Sequence, residues 1–208
     1  MNHTLIKMCG IHRPEDVSAV NELLPDYIGF VFFPGSKRYI SPETAAELRK
    51  SLSPAIRAVG VFVDEAPETA AALLNAGVID AAQLHGHEDD AYIARLREMT
   101  SKPLIQAFRI RTADDAARAQ RSPADHILLD AGAGDGKTFD WRLLDAVTRP
   151  YFLAGGLDPE NVSRALRERK PFAVDVSSGI ETDGFKDIDK MRAFVRAVRN
   201  TDNAEVTP

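Results

Sequence analysis

A thiol and a carboxyl stand at the ends of two apolar runs: Cys9 closes Ile6-Lys7-Met8-Cys9, and Asp130 closes His126-Ile127-Leu128-Leu129-Asp130. If both runs are strands that end at one mouth, the pair can supply a base and an acid for proton transfer. A base role needs the thiolate, so Cys9 must sit near positive potential or trade its proton with a ligand. Its other reading is a small buried core cysteine. An apolar surround raises the pKa of a carboxyl, the condition for Asp130 to act as an acid near neutral pH. Its other reading is a turn cap.

Further candidates lie at other strand ends. Arg38, in Pro34-Gly35-Ser36-Lys37-Arg38-Tyr39-Ile40, is either a solvated loop arginine or a planar clamp for a carboxylate, a role Lys37 could not copy. Gln83-Leu84-His85-Gly86 offers polar groups that face the mouth, or a hydrogen-bonded structural histidine. Ala154-Gly155-Gly156-Leu157-Asp158 and Ser177-Ser178-Gly179-Ile180 are glycine-containing turns after adjacent strands, suited to holding a phosphate on backbone N–H groups. His3, His12 and His87 lack metal-ligand spacing, and one cysteine makes a zinc site improbable, so no metal is expected.

The elements that must position these groups repeat about eight times, at roughly 25 residues per unit, as apolar β-branched runs alternating with helical patterns. Strands are expected over 5–9, 27–33, 58–63, 81–85, 104–109, 126–130, 151–154 and 172–177. Several are almost continuously apolar, as in a parallel sheet covered by helices. Helix starts are written as Pro14-Glu15-Asp16, Ser41-Pro42-Glu43 and Asp158-Pro159-Glu160. The other helices are expected near 68–76, 89–99, 113–120, 140–146 and 188–198. The fifth is short and polar and is expected to be frayed or missing, while Trp141 reads as packing at the start of the sixth. An open doubly wound sheet shares this alternation, but no Gly-x-Gly-x-x-Gly follows the first strand, and eight short units favour a closed α/β barrel of the (β/α)8 TIM type. Its chemistry belongs at the carboxyl ends of the strands.

With 208 residues the chain suits one domain, over 1–199, followed by a polar tail over 200–208. The net charge of -5, with basic residues scattered, argues against a nucleic-acid surface. A single cysteine excludes an internal disulfide framework. No apolar run reaches the length of a signal core or membrane span, so a soluble cytoplasmic protein with no membrane contact is expected.

The motifs together resemble phosphoribosylanthranilate isomerases of tryptophan biosynthesis. The resemblance covers residues 5–199, in order, through Lys7-Met8-Cys9-Gly10-Ile11, Gly29-Phe30-Val31-Phe32, Ser36-Lys37-Arg38-Tyr39-Ile40, Val59-Gly60-Val61-Phe62, Gln83-Leu84-His85-Gly86, Gly136-Lys137-Thr138-Phe139-Asp140-Trp141, Leu153-Ala154-Gly155-Gly156-Leu157 and Asp175-Val176-Ser177-Ser178-Gly179-Ile180-Glu181. It implies a (β/α)8 barrel with Cys9 as general base, Asp130 as general acid and Arg38 on the anthranilate carboxylate. It further implies Gly155, Gly156, Ser178 and Gly179 at the phosphate, and Gln83, His85 and Asp175, which stand within the quoted motifs, are expected to bind substrate beside Arg38.

The implied reaction is an Amadori rearrangement that uses no cofactor, because the substrate's own nitrogen is the electron sink. The partner implied is a small-molecule substrate, with a monomer favoured over a homodimer. Met8 stands where isoleucine is more usual, and Asp135 where serine or threonine is common. The alternatives are a histidine-pathway aminoaldose isomerase, which carries an aspartate where Cys9 stands and is longer, and a non-catalytic barrel that binds a sugar phosphate.

Overall fold

Each apolar run is too short to bury both faces alone, and eight of them solve the problem by pairing in a ring with helices outside. The computed structural model describes residues 3–130, 132 and 141–204. The parallel strands β1 (Leu5–Cys9), β2 (Tyr27–Val31), β3 (Arg57–Phe62), β4 (Ala81–Leu84), β5 (Leu104–Arg109), β6 (His126–Asp130), β7 (Tyr151–Ala154) and β8 (Ala173–Val176) pair in sequence order, and β8 returns to β1. Strands β2, β3, β4 and β8 stop one or two residues before the expected ends, where the chain turns into the loops at the mouth.

The helices are α1 (Pro14–Leu23), α2 (Pro42–Ser51), α3 (Pro67–Asn75), α4 (Asp90–Met99), α5 (Ala113–Arg121), α6 (Val162–Arg169) and α7 (Ile188–Ala204). Proline occupies the first turn of α1, α2 and α3, where its missing N–H leaves nothing unsatisfied. The Asp158-Pro159-Glu160 signal lies just outside its helix: Asp158 accepts from the N–H groups of Glu160 and Asn161, and α6 begins at Val162.

Three expectations about elements are corrected. The fifth helix is present over nine residues, because Thr112 and Asp115 cap its first turn reciprocally and Ala116 and Ala119 bury its narrow apolar stripe. The irregular unit is the sixth: after β6 the expected helix near 140–146 is only a 3-10 turn at Trp141–Leu144, and Asp135 and Asp140 lie outside the described residues. The tail does not begin at residue 200. Helix α7 runs on to Ala204, with Thr201 buried and Asp202 accepting from the Thr4 N–H and hydroxyl, so only 205–208 lie outside the description.

Strand pleating sorts the side chains between two cores. The outer faces, with Ile6, Met8, Ile28 and Phe30, meet the helices in the larger cluster. The inner faces put Tyr27, Val59, Ala81, Ile105, Leu128, Phe152 and Ala173 in one packed layer. Toward the mouth, Cys9 packs with Val31 and Val61. The interior is therefore a solid floor, and polar residues can stand on it only where the strands end.

Candidate active site

The inward register of β1 carries Leu5, Lys7 and Cys9 toward the mouth, because alternate residues share a face. Lys7 pairs in register with Asp175 of β8, and its Nζ lies 2.9 Å from Asp175 Oδ1. Both are buried, Lys7 at 0% exposure, so each charge offsets part of the cost of burying the other. Cys9 stands one pleat higher. Gly29, its register partner on β2, makes room for the sulfur: a Cβ at Gly29 would lie 2.6 Å from Sγ.

Burial pushes the Cys9 thiol above its ordinary pKa, opposed by the Lys7 ammonium, reinforced by Asp175 and opposed again by Lys186. Burial pulls Lys7 down, but Asp175 and Cys9 more than offset it, so its ammonium is held above the ordinary value. For Asp175 burial is the largest effect and leaves its carboxyl above the ordinary range in spite of Lys7.

Asp130 closes β6 on the other side of the mouth. Its Oδ1 accepts from the Gly132 N–H at 2.9 Å, and its Oδ2 lies 3.8 Å from His85 Nε2. His85 Nδ1 is 2.9 Å from Gln83 Nε2, so if the amide donates there, the ring proton is on Nε2 and faces Asp130. The sequence expectation of a raised Asp130 pKa is corrected. Burial does push it up, but the nearby His85 imidazole, the hydrogen bond from the Gly132 N–H and the charge of Arg109 bring it below the ordinary value. The apolar run that suggested a raised value ends at a polar rim, and Arg109 of β5 is the register partner of Asp130. Gln83 is 1% exposed, and its Oε1 has no protein partner among the described residues.

Arg38 reaches the mouth by laying its side chain across Gly10, whose φ of +83° and absent Cβ leave the space; a Cβ there would collide with Arg38 Cδ. The guanidinium is held in two parallel bonds by Glu181, with Nε at 2.6 Å from Oε1 and NH2 at 2.7 Å from Oε2. Glu181 also accepts from Lys186 Nζ at 2.6 Å. Burial raises the Glu181 carboxyl, yet Arg38 and Lys186 hold it below its ordinary range. A short hairpin sets this geometry: β9 (Glu181–Thr182) and β10 (Phe185–Lys186) are joined by Asp183 and Gly184, both at positive φ, the Asp-Gly signature of a tight turn.

Gly155 and Gly156 follow β7 with φ of +101° and +66°. Neither N–H is taken by an acceptor among the described residues. Ser178 and Gly179 open a 3-10 turn after β8, and a Cβ at Gly179 would strike the Leu157 carbonyl, so the two turns approach as closely as only glycine permits. Among the described residues no group of three or more His, Cys, Asp or Glu side chains could hold a metal ion.

Cys9, Arg38, Gln83, His85, Asp130, Gly155, Gly156, Asp175, Ser178 and Gly179 thus lie in the loops after the strands, at the strands' carboxyl ends or one pleat below. Four further charged residues join them. Lys7 was detectable, two positions before Cys9 on a strand and hence on the same face. Arg109 had the same signal, ending its own strand. Glu181 appeared only as the last residue of a motif and Lys186 not at all, because their place depends on a hairpin that brings residues far apart in sequence to Arg38.

A closed (β/α)8 barrel with a thiol, a carboxyl and a guanidinium around its mouth is an enzyme scaffold of the class that works on small anionic molecules at the strand ends. Residues 6–197 match the family model of N-(5'-phosphoribosyl)anthranilate (PRA) isomerase. The N-(5'-phosphoribosyl)anthranilate isomerase of Endomicrobium trichonymphae is 43% identical over 94% of this chain and 98% of its own. That of Acetivibrio thermocellus is 41% identical over 96% and 97%. The crystal structure of phosphoribosyl anthranilate isomerase from Thermotoga maritima superimposes with a TM-score of 0.86 at 39% identity, over 95% of this chain and 99% of that one. A structure of such an isomerase in complex with reduced 1-(o-carboxyphenylamino)-1-deoxyribulose 5-phosphate gives 0.84 at 39% identity, with the same coverage. The chain belongs to the N-(5'-phosphoribosyl)anthranilate isomerase family.

Proposed function

We propose that this enzyme carries out the isomerase step of tryptophan biosynthesis, converting N-(5-phosphoribosyl)anthranilate to 1-(2-carboxyphenylamino)-1-deoxyribulose 5-phosphate. The observation that carries the reading is the gathering of Cys9, Asp130 and Arg38 at one mouth in a chain of this family. Asp130 protonates the furanose oxygen, and the ring opens to an iminium. The Cys9 thiolate removes the C2 proton to give an enolamine, which tautomerises to the ketone. Asp130 is ionised more readily than an ordinary carboxyl in the ligand-free protein, and it gains its proton when an anionic substrate enters beside it and raises its pKa.

Arg38 holds the anthranilate carboxylate with the donors that Glu181 leaves open, and Glu181 fixes the plane of the guanidinium. Gly155, Gly156, Ser178 and Gly179 supply backbone N–H groups to the phosphate. Gln83 and His85 orient the substrate hydroxyls, with the free Gln83 Oε1 as acceptor. Asp175 offers only its second oxygen, since the first is on Lys7.

The substrate is a small molecule, with neither nucleic acid nor membrane as partner. No helix among the described residues is long and apolar enough to cross a membrane. The working form is a cytoplasmic monomer, which light scattering of the purified protein would check.

The test is the decay of anthranilate fluorescence when the enzyme meets freshly generated phosphoribosylanthranilate, coupled to the following pathway enzyme, with Asp130→Asn as control. Rapid loss with the wild type and a rate lower by about 10² to 10⁴ in the variant is expected for removal of a general acid. A folded wild-type protein that leaves the fluorescence unchanged would overturn the reading.

A further inference from the structure

Lys7 is the one fully buried ammonium beneath the mouth among the described residues, and a structural ion pair would not need to stand directly under a reactive thiol. Its position follows from two independent geometric facts. The pleat of β1 puts Lys7 and Cys9 on the same inner face at successive levels. The β1·β8 register then places Asp175 beside Lys7, with its Oδ1 2.9 Å from Nζ. The ammonium thus has a carboxylate at its side and, one pleat above on the same strand face, the Cys9 thiol that its charge acts on.

We propose that Lys7 is a positioning residue for the base: its buried ammonium, anchored by Asp175, supplies the positive charge against which Cys9 forms its thiolate. The inference deepens the reading of Cys9 as base given above and rests on it. Other charges face the thiol as well. Lys186 of the β9–β10 hairpin favours the thiolate, as does Arg38 of the loop after β2, though Glu181 binds and partly neutralises both. Asp175 opposes the thiolate, and the Asp175 carboxyl itself feels His85 and Asp130 with opposite signs.

Lys7 differs from Arg38 in being closed off from solvent, and from Lys186 in standing on the same strand face as Cys9 rather than on the hairpin. When the thiol loses its proton, the triad holds one positive and two negative charges. When substrate C–H proton transfer returns the proton to sulfur, the neutral Lys7–Asp175 pair is restored. The barrel floor therefore alternates between a net charge of minus one and zero, and the ammonium lowers the cost of the charged state.

Cys9 is the only cysteine, so thiolate absorbance near 240 nm and the rate of alkylation by iodoacetamide both report this one group. These readouts need no substrate, so they separate failure of this proposal from failure of the functional reading. Lys7→Met, of similar length and without charge, should titrate at a pH at least one unit higher. Its alkylation at neutral pH should be slowed by about tenfold or more, since one pKa unit is a tenfold change in thiolate fraction. Its kcat should fall far more than its KM rises.

Asp175→Asn, which removes the opposing negative charge, should move the thiol titration the other way and speed alkylation. It remains informative if Lys7→Met does not fold by circular dichroism. An unshifted thiol titration in folded Lys7→Met would overturn the proposal. So would an unshifted or more alkaline titration in Asp175→Asn.

Discussion

At the scale of single residues, the site is built from charges that hold one another. Arg38 is a flexible loop side chain made rigid by Glu181, and Glu181 is in turn shared with Lys186. The arrangement distinguishes binding from chemistry. Arg38→Ala should raise KM by about 10- to 100-fold with a smaller change in kcat, the pattern of a lost contact made in both ground and transition states. Steady-state kinetics at two substrate concentrations spanning KM would separate the two effects. Glu181→Gln should raise KM more modestly, because the guanidinium stays but loses its fixed plane. The expected acid, Asp130, shows where residue-level reasoning stops. Its apolar strand was legible, and its pKa direction was not, because His85 and Arg109 come from other strands.

At the scale of elements, the strand ends are spaced by glycines that let neighbours approach. Gly29 sits against the Cys9 sulfur, and Gly10 beneath the stem of Arg38. Gly29→Ala would push a methyl group into the sulfur, with Cys9 Cα already 3.2 Å from the new atom. The strand backbone cannot move without disturbing its pairing, so the substitution should cost about 1–3 kcal/mol by overpacking. Its turnover should fall further than that cost explains, because the displaced atom is the proposed base. A thermal melt and kcat on the same preparation would check both. The fifth helix belongs to this scale too. Its short, polar sequence suggested a helix that is short, frayed or missing, yet reciprocal caps and two buried alanines hold nine residues of it. The side chain of Gln120 also ties it to the next unit through the Thr148 N–H and hydroxyl.

At the scale of the whole molecule, the last helix ties the end of the chain back to the residues just before the first and second strands. Asp202 accepts twice from Thr4, while Arg199 donates to the Thr4 carbonyl and the Asp26 carboxylate. Asp202→Ala should therefore lower stability by about 1–2 kcal/mol, the range for two part-buried hydrogen bonds. A fall in Tm of roughly 2–4 °C per kcal/mol would follow for a domain of this size.

The floor of the barrel carries a pH dependence. His126 is stacked on Phe172 and set edge-on to Phe152, and its pKa is lowered by burial first, opposed by Asp125 and aided by Arg149 and Arg57. A folded-state pKa below the unfolded value means that the unfolded chain binds the proton more readily. The stabilising effect is thus complete above the unfolded value near 6.5 and is lost as pH falls through it toward the folded value. His126→Phe should remove that loss: between pH 7.5 and 5.5 its Tm should fall less than that of the wild type.

The amino-acid sequence by itself determined the period of eight units, most of their boundaries and the strand-end places of Cys9, Asp130, His85 and the glycine turns. These depend on local patterns: strand alternation of two, apolar run length, and proline and acidic signals at helix starts. Tertiary structure alone decided which charges meet. Lys7 and Asp175 are 168 positions apart, and Arg38 and Glu181 are 143 apart, and no local pattern pairs them. Barrel closure does, because joining β8 to β1 turns the two ends of the chain into neighbours. The same closure decided the ionisation of the site. A pKa is set by the charges and solvent around a group, and around this mouth those come from every part of the ring.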